Sequence, residues 1–166
     1  NPSFPYRFTH MLLASGLTAS FLIAGLSAYR LFRGDDKIAP KIALKTATYT
    51  AAVLIPLQIF AGDMHGLNTL EHQPQKVAAM EANWETQNGA PLVLFAVPDE
   101  ETKTNKYAIE IPKGASFILT HDPNGELVGL DQYEGEHAPV FKVFWSFRVM
   151  VGIGLLMLVV AWAAAW

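Results

Sequence analysis

Three long apolar stretches decide most of what this chain can become. They run from about Phe8 to Phe32, from about Ile42 to Ala61 and from about Val140 to Trp166. Crossing a bilayer takes roughly 20 mostly apolar residues, and each stretch is long enough. Inside the hydrocarbon only a helix satisfies the backbone polar groups of a single segment. The expectation is an all-α membrane protein, a transmembrane helix bundle fragment with three spans and a long extracytoplasmic loop. Residues 1–61 would hold two helices and a basic connection, residues 62–138 the loop, and residues 139–166 the third helix. Composition agrees, because charged residues make up 16% of the 166, against about 25% in soluble domains. Pro56 removes a backbone donor inside the second stretch, which predicts a kink that neighbouring helices can accommodate.

Charge orients the spans. The connection between the first two carries Arg30, Arg33, Lys37, Lys41 and Lys45 against Asp35 and Asp36, and such a basic excess in a short loop marks the cytoplasmic side. The long connection holds Lys76, Lys103, Lys106 and Lys113 among more numerous acids, including the run Asp99-Glu100-Glu101, so it belongs outside. The net charge of −3, without a basic stripe, argues against nucleic acid. Cysteine is absent, which excludes disulfides, iron–sulfur clusters and thiolate zinc sites. The chain starts at Asn1 and ends in apolar residues, as a piece of a longer membrane protein would.

The long connection has structure written into it. From Gln75 to Trp84, Val77, Ala78, Met80 and Trp84 recur at helical spacing. Tyr107-Ala-Ile-Glu-Ile-Pro alternates like a short strand, and Asp122-Pro-Asn-Gly is a turn signal.

Few residues in the spans can do chemistry. His10 lies near the outer end of the first span, and an ionisable group in a membrane helix is a functional candidate. Its imidazole either ligates a haem iron or hydrogen-bonds a neighbouring helix. Ala14, Ser15, Gly16 and Ala19 form a small-residue face beside it, which allows close helix approach or room for a flat cofactor. Met150 is a packing residue or the second ligand; both residues fall in outer halves of helices entering from the same side, so they can meet at similar depth. A His/Met pair makes a low-spin, electron-transferring haem. Arg148 needs a partner, either a haem propionate or Asp63, unless it reaches the interface. Asp63, His65, Glu71 and His72 cluster after the second span without a standard ligand spacing, so they read as polar interfacial residues. Lys76 and Glu81, beside Met80 and Trp84, offer a quinol an apolar slot, hydrogen bonds and a proton acceptor, or else form a solvated helix. A haem-free membrane anchor with a partner-docking loop and a transporter segment are the competing classes.

Ordered motifs carry a resemblance. Gly62-Asp63, then Lys76-Val-Ala-Ala-Met-Glu81-Ala-Asn-Trp-Glu85, Asn105-Lys-Tyr-Ala-Ile-Glu-Ile-Pro112 and Phe141 to Gly152, together with Asn1 to His10, resemble subunit I of cytochrome bd-type quinol oxidases. Gly-Asp-x-His-Gly-Leu-Asn-Thr-Leu-Glu-His-Gln-Pro is similar to the cyanide-insensitive branch. The resemblance implies that His10 and Met150 are the axial ligands of a low-spin haem b, with Arg148 beside it. It makes the loop a short-type quinol-binding loop, with Lys76, Glu81 and Gln73 as quinol-site residues. It further implies a bacterial cytoplasmic membrane, a membrane quinol, a second oxidase subunit and the rest of subunit I, where the ligands of the other haems lie. Met64 departs from the pattern, standing where some relatives carry a second acid after Asp63.

Overall fold

The structure is a computed structural model that describes residues 2–35, 37–133, 135 and 137–166. Asn1 and Asp36, which enter the motif and charge readings, lie outside the described residues. The chain folds as two compact units, Asn1–His65 with Gly152–Trp166, and Gly66–Val151.

Among the described residues, three helices are long and apolar enough to cross a membrane: α1 (Phe4–Phe32), α2 (Ile38–His72) and α5 (Val140–Ala165). Each expected span is there, but two bounds need correcting. Helix α1 begins at Phe4, with Pro5 in its first turn, where a missing N–H costs nothing. Helix α2 starts at Ile38 and continues past Ala61 to His72. Apolarity ends near Gly62, but hydropathy reports the membrane and not the backbone, and from Gly62 no proline follows until Pro74. Asp63, His65, Glu71 and His72 therefore sit on the helix itself.

In the first unit, Leu17 of α1, Ala51 and Ile55 of α2 and Ala161 of α5 form the core, with Met157 and Leu158 against it. Of the small-residue face, Gly16 packs closely on α2: a Cβ built there would come within 2.9 Å of Leu54 Cδ1. The hydroxyls of Ser15, Thr18 and Ser20 donate to carbonyls four residues back on α1, so they need no water. Trp162 Nε1 donates to the Ala52 carbonyl at 3.0 Å. Phe8, Leu22, Leu26, Val53, Leu156 and Val159 are exposed, the surface that lipid or further helices require.

The second unit adds strands to the expected, mostly helical fold. Its described residues form α3 (Pro74–Glu81), α4 (Gly114–Thr120) and a turn of 3-10 helix at Leu130–Gln132, together with four strands. Strand β1 (Gln87–Asn88) pairs antiparallel with β4 (Glu126–Leu127), and β2 (Leu92–Asp99) with β3 (Thr104–Ile111). The strand expected at Tyr107 is the second arm of that hairpin. Its partner, Leu92-Val-Leu-Phe-Ala-Val, is an apolar run whose periodicity does not distinguish strand from helix. The register slips between Val93 and Phe95 and again between Phe95 and Val97, and Tyr107 sits nearby at φ 55°, the left-handed conformation that a bulge can use. Ala78, Ala79 and Ala82, Trp84, Val93 and Ala96 pack with Leu130, Val140 and Phe144 in one core. The loop is thus a folded α/β layer.

Candidate functional site

His10 stands on α1 in the first unit, partly buried. Gln58 of α2 places its side-chain amide nitrogen 3.0 Å from His10 Nε2. The other ring nitrogen, Nδ1, is buried with no hydrogen-bond partner, and so is Gln58 Oε1. A buried polar atom left unpaired costs about 1–3 kcal/mol. Against this edge of the ring lies Gly62: a Cβ there would come 3.3 Å from His10 Cε1 and 3.6 Å from Nδ1. Glycine therefore keeps a cradle open that any other residue would narrow. His65 closes a further side, its ring centroid 5.9 Å from that of His10 and tilted by 55°. One ring nitrogen of His10 thus meets a neighbouring helix, and the other stays unpartnered. A neutral imidazole with one nitrogen spare is the form that ligates a metal. This donor fits a haem iron.

The second unit holds a buried ion pair. Arg148 Nη2 donates to Glu81 Oε2 at 2.6 Å, Nη1 reaches Oε1 at 3.5 Å, and Nε donates to the Val93 carbonyl at 2.6 Å. The two side chains are only 11% and 9% exposed. Phe144 and Phe147 flank the guanidinium, with ring centroids 4.9 and 5.4 Å from Cζ. Local structure aims each partner. Helix α3 stops just after Glu81 because Ala82 turns left-handed at φ 52°, and α5 carries Arg148 two turns in from Val140. Of the partners expected for Arg148, a haem propionate or Asp63, the second is exposed on α2, and the carboxylate that meets Arg148 is Glu81, a residue singled out for another role.

Glu81 also borders an open cleft of about 280 Å³, whose lining includes Trp84, Val93, Asn105 and Glu110. Trp84 is pinned there, its Nε1 donating to Asn105 Oδ1 at 2.9 Å while Asn105 Nδ2 donates to the Ala82 carbonyl at 2.9 Å. Lys76 and Gln73 are exposed. Five residues separate Lys76 from Glu81, which on a helix is about 140° around the axis, so α3 presents them on different sides. Met150 is 52% exposed, some 200° around α5 from Arg148. His72 Nδ1 faces the Asn68 carbonyl at 3.0 Å, with Glu71 Oε2 at 3.9 Å. Among the described residues no three His, Asp or Glu side chains come together as a metal site.

Two residues escaped the sequence reading. Gln58 had a signal, an uncharged polar side chain between Leu57 and Ile59 in an apolar span. The Val93 carbonyl had none, because backbone groups become ligands only through tertiary placement.

Comparison with known proteins follows the same lines. The family described as cytochrome bd terminal oxidase subunit I matches residues 1–166. The cytochrome bd ubiquinol oxidase subunit 1 of Bacillus subtilis (strain 168) is 28% identical over 177 residues, covering 100% of this chain and 38% of that protein. The cytochrome bd-II ubiquinol oxidase subunit 1 of Escherichia coli (strain K12) is 30% identical over 142 residues, covering 84% of this chain and 27% of that protein. The structure of bd oxidase from Geobacillus thermodenitrificans superposes with a TM-score of 0.90 at 34% identity, over 99% of this chain and 38% of that one. The chain thus spans well under half the length of the relatives it matches.

Proposed function

The chain belongs to the cytochrome bd terminal oxidase subunit I family, and from that premise we propose that it is the electron-entry segment of a membrane quinol oxidase. His10 and Met150 hold a low-spin haem b. When bound, that haem supplies one-electron transfer between quinol and the oxygen-reducing haems, with methionine ligation raising its potential. The observation that carries this reading is the buried His10 Nδ1 without a partner beside the Gly62 cradle.

The second unit is the quinol-binding region, with Glu81, Lys76 and Gln73 as its polar groups. Oxidising a quinol releases two protons and two electrons, so an acceptor must wait at each hydroxyl. A carboxylate has about four lone-pair sites, and Arg148 occupies two of those on Glu81. The remainder can take a quinol hydroxyl and its proton. Arg148 holds the carboxylate in place, and the Val93 carbonyl holds Arg148. Lys76 and Gln73, on the exposed parts of α3, hydrogen-bond the far oxygen or guide entry. The basic connection between α1 and α2 faces the cytoplasm, which puts residues 62–138 outside, where the protons leave. Oxygen reduction belongs to the remainder of subunit I with its second subunit, and this segment alone is inactive.

Turnover of the complete oxidase with a soluble quinol analogue tests the quinol assignment. Glu81→Gln should lower turnover by roughly 10²–10⁴-fold, the usual range for a lost proton acceptor, with dithionite-reduced haem spectra unchanged. Lys76→Ala should lower it less, chiefly through KM. Wild-type turnover in Glu81→Gln would overturn the assignment.

A further inference from the structure

The contact between Gln58 and His10 has two chemically distinct forms. In one, the Gln58 NH2 donates to His10 Nε2, so the imidazole proton sits on Nδ1 and Gln58 Oε1 is left over. In the other, the amide is turned end for end: His10 Nε2–H donates to Oε1, and Nδ1 carries a bare lone pair. The ring geometry is the same, with the amide 3.0 Å from Nε2 and Nδ1 buried without a partner. Only the second form gives the unpartnered nitrogen something to offer a metal.

We infer that Gln58 is a positioning residue for the haem ligand, fixing the tautomer and rotation of His10 by accepting its second ring N–H. The inference rests on His10 being a ligand. Metal-bound histidines nearly always donate their other N–H to an acceptor, which orients the ring and raises its basicity, and losing that acceptor typically changes metal affinity by 10–100-fold. Everything else about the residue points the same way. Gln58 sits in the apolar run of α2, where a polar side chain is costly unless it has a task. Pro56, two residues earlier, removes a backbone donor on the same turn. Gly62, one turn later, leaves the ring's other edge clear.

Acceptor strength gives the test its sign. A stronger acceptor makes the imidazole more electron-rich and favours ferric iron, whereas no acceptor favours ferrous iron. Spectroelectrochemical titration of the low-spin haem b band, in the complete oxidase in membranes, reads this directly. Gln58→Glu should lower the midpoint potential and Gln58→Leu should raise it. A tenfold change in the relative affinity for the two iron states corresponds to about 59 mV for one electron, and shifts of that order are expected. A packing role would move both variants the same way or not at all, and either result overturns the inference. If Gln58→Leu fails to assemble, judged by loss of the other haem bands, the near-isosteric Gln58→Glu decides alone. His10→Ala run beside them separates the two claims. Loss of the low-spin band there, with unmoved Gln58 variants, removes the role of Gln58 and leaves the ligand standing. Retention of the band removes both.

Discussion

At the scale of single residues, three polar side chains decide what this segment can do, and each carries a specific obligation. Glu81 and Arg148 meet that obligation in each other and in the Val93 carbonyl. Such a pair contributes little beyond an apolar replacement, but removing one partner strands a charge and costs about 3–5 kcal/mol. Arg148→Met should therefore lower the melting temperature of the oxidase clearly. Adding Glu81→Gln to it should restore much of the loss, because the stranded carboxylate is gone. Equal melting of wild type and Arg148→Met would show that water reaches Glu81. His10 is the opposite case, with one nitrogen served by Gln58 and one unserved. The sequence made His10, Arg148 and Glu81 visible, since ionisable groups in or near apolar runs are conspicuous. It could not join Arg148 to Glu81, because 67 residues separate them and no periodicity encodes a long-range pair.

Among the elements, the helices were legible and the sheet was not. Apolar length announced α1, α2 and α5, and helical spacing announced α3. Helix α2 outlasts its apolar stretch because hydropathy reports the membrane and not the backbone, so Gly62 to His72 looks like loop in the sequence. Strand β2 was missed because Leu92 to Val97 is apolar on both sides of the alternation, whereas Tyr107 to Ile111 showed its period. The β2–β3 hairpin carries its own electrostatic signature. The Lys106 ammonium donates to Asp99, and with backbone donors from the turn it holds that carboxyl at about 2, below its ordinary 3.8. A carboxyl whose folded value is depressed stabilises the fold above its unfolded value and loses that contribution as pH falls toward the folded one. Protection of the hairpin amides from hydrogen exchange, corrected for intrinsic rates, should decline from about pH 4 toward pH 2. In Asp99→Asn it should start lower and lack that decline. The same decline in both proteins would assign it to another acid.

For the molecule as a whole, the chain folds as two units and has, among the described residues, three membrane-length helices, and it corresponds to 38% of a bd oxidase subunit. The family was legible in the motifs because they recur in order along the whole chain. The pairing of His10 with Met150 rests on the family and on the donor chemistry of imidazole and thioether. That pairing is the central claim, and a dithionite-reduced minus oxidised visible spectrum of the complete oxidase tests it most directly, with wild type beside His10→Ala and Met150→Leu. The account predicts that each variant loses the low-spin b-type bands while the remaining haem bands persist. Unchanged low-spin bands in either variant would contradict it, removing that residue from the iron.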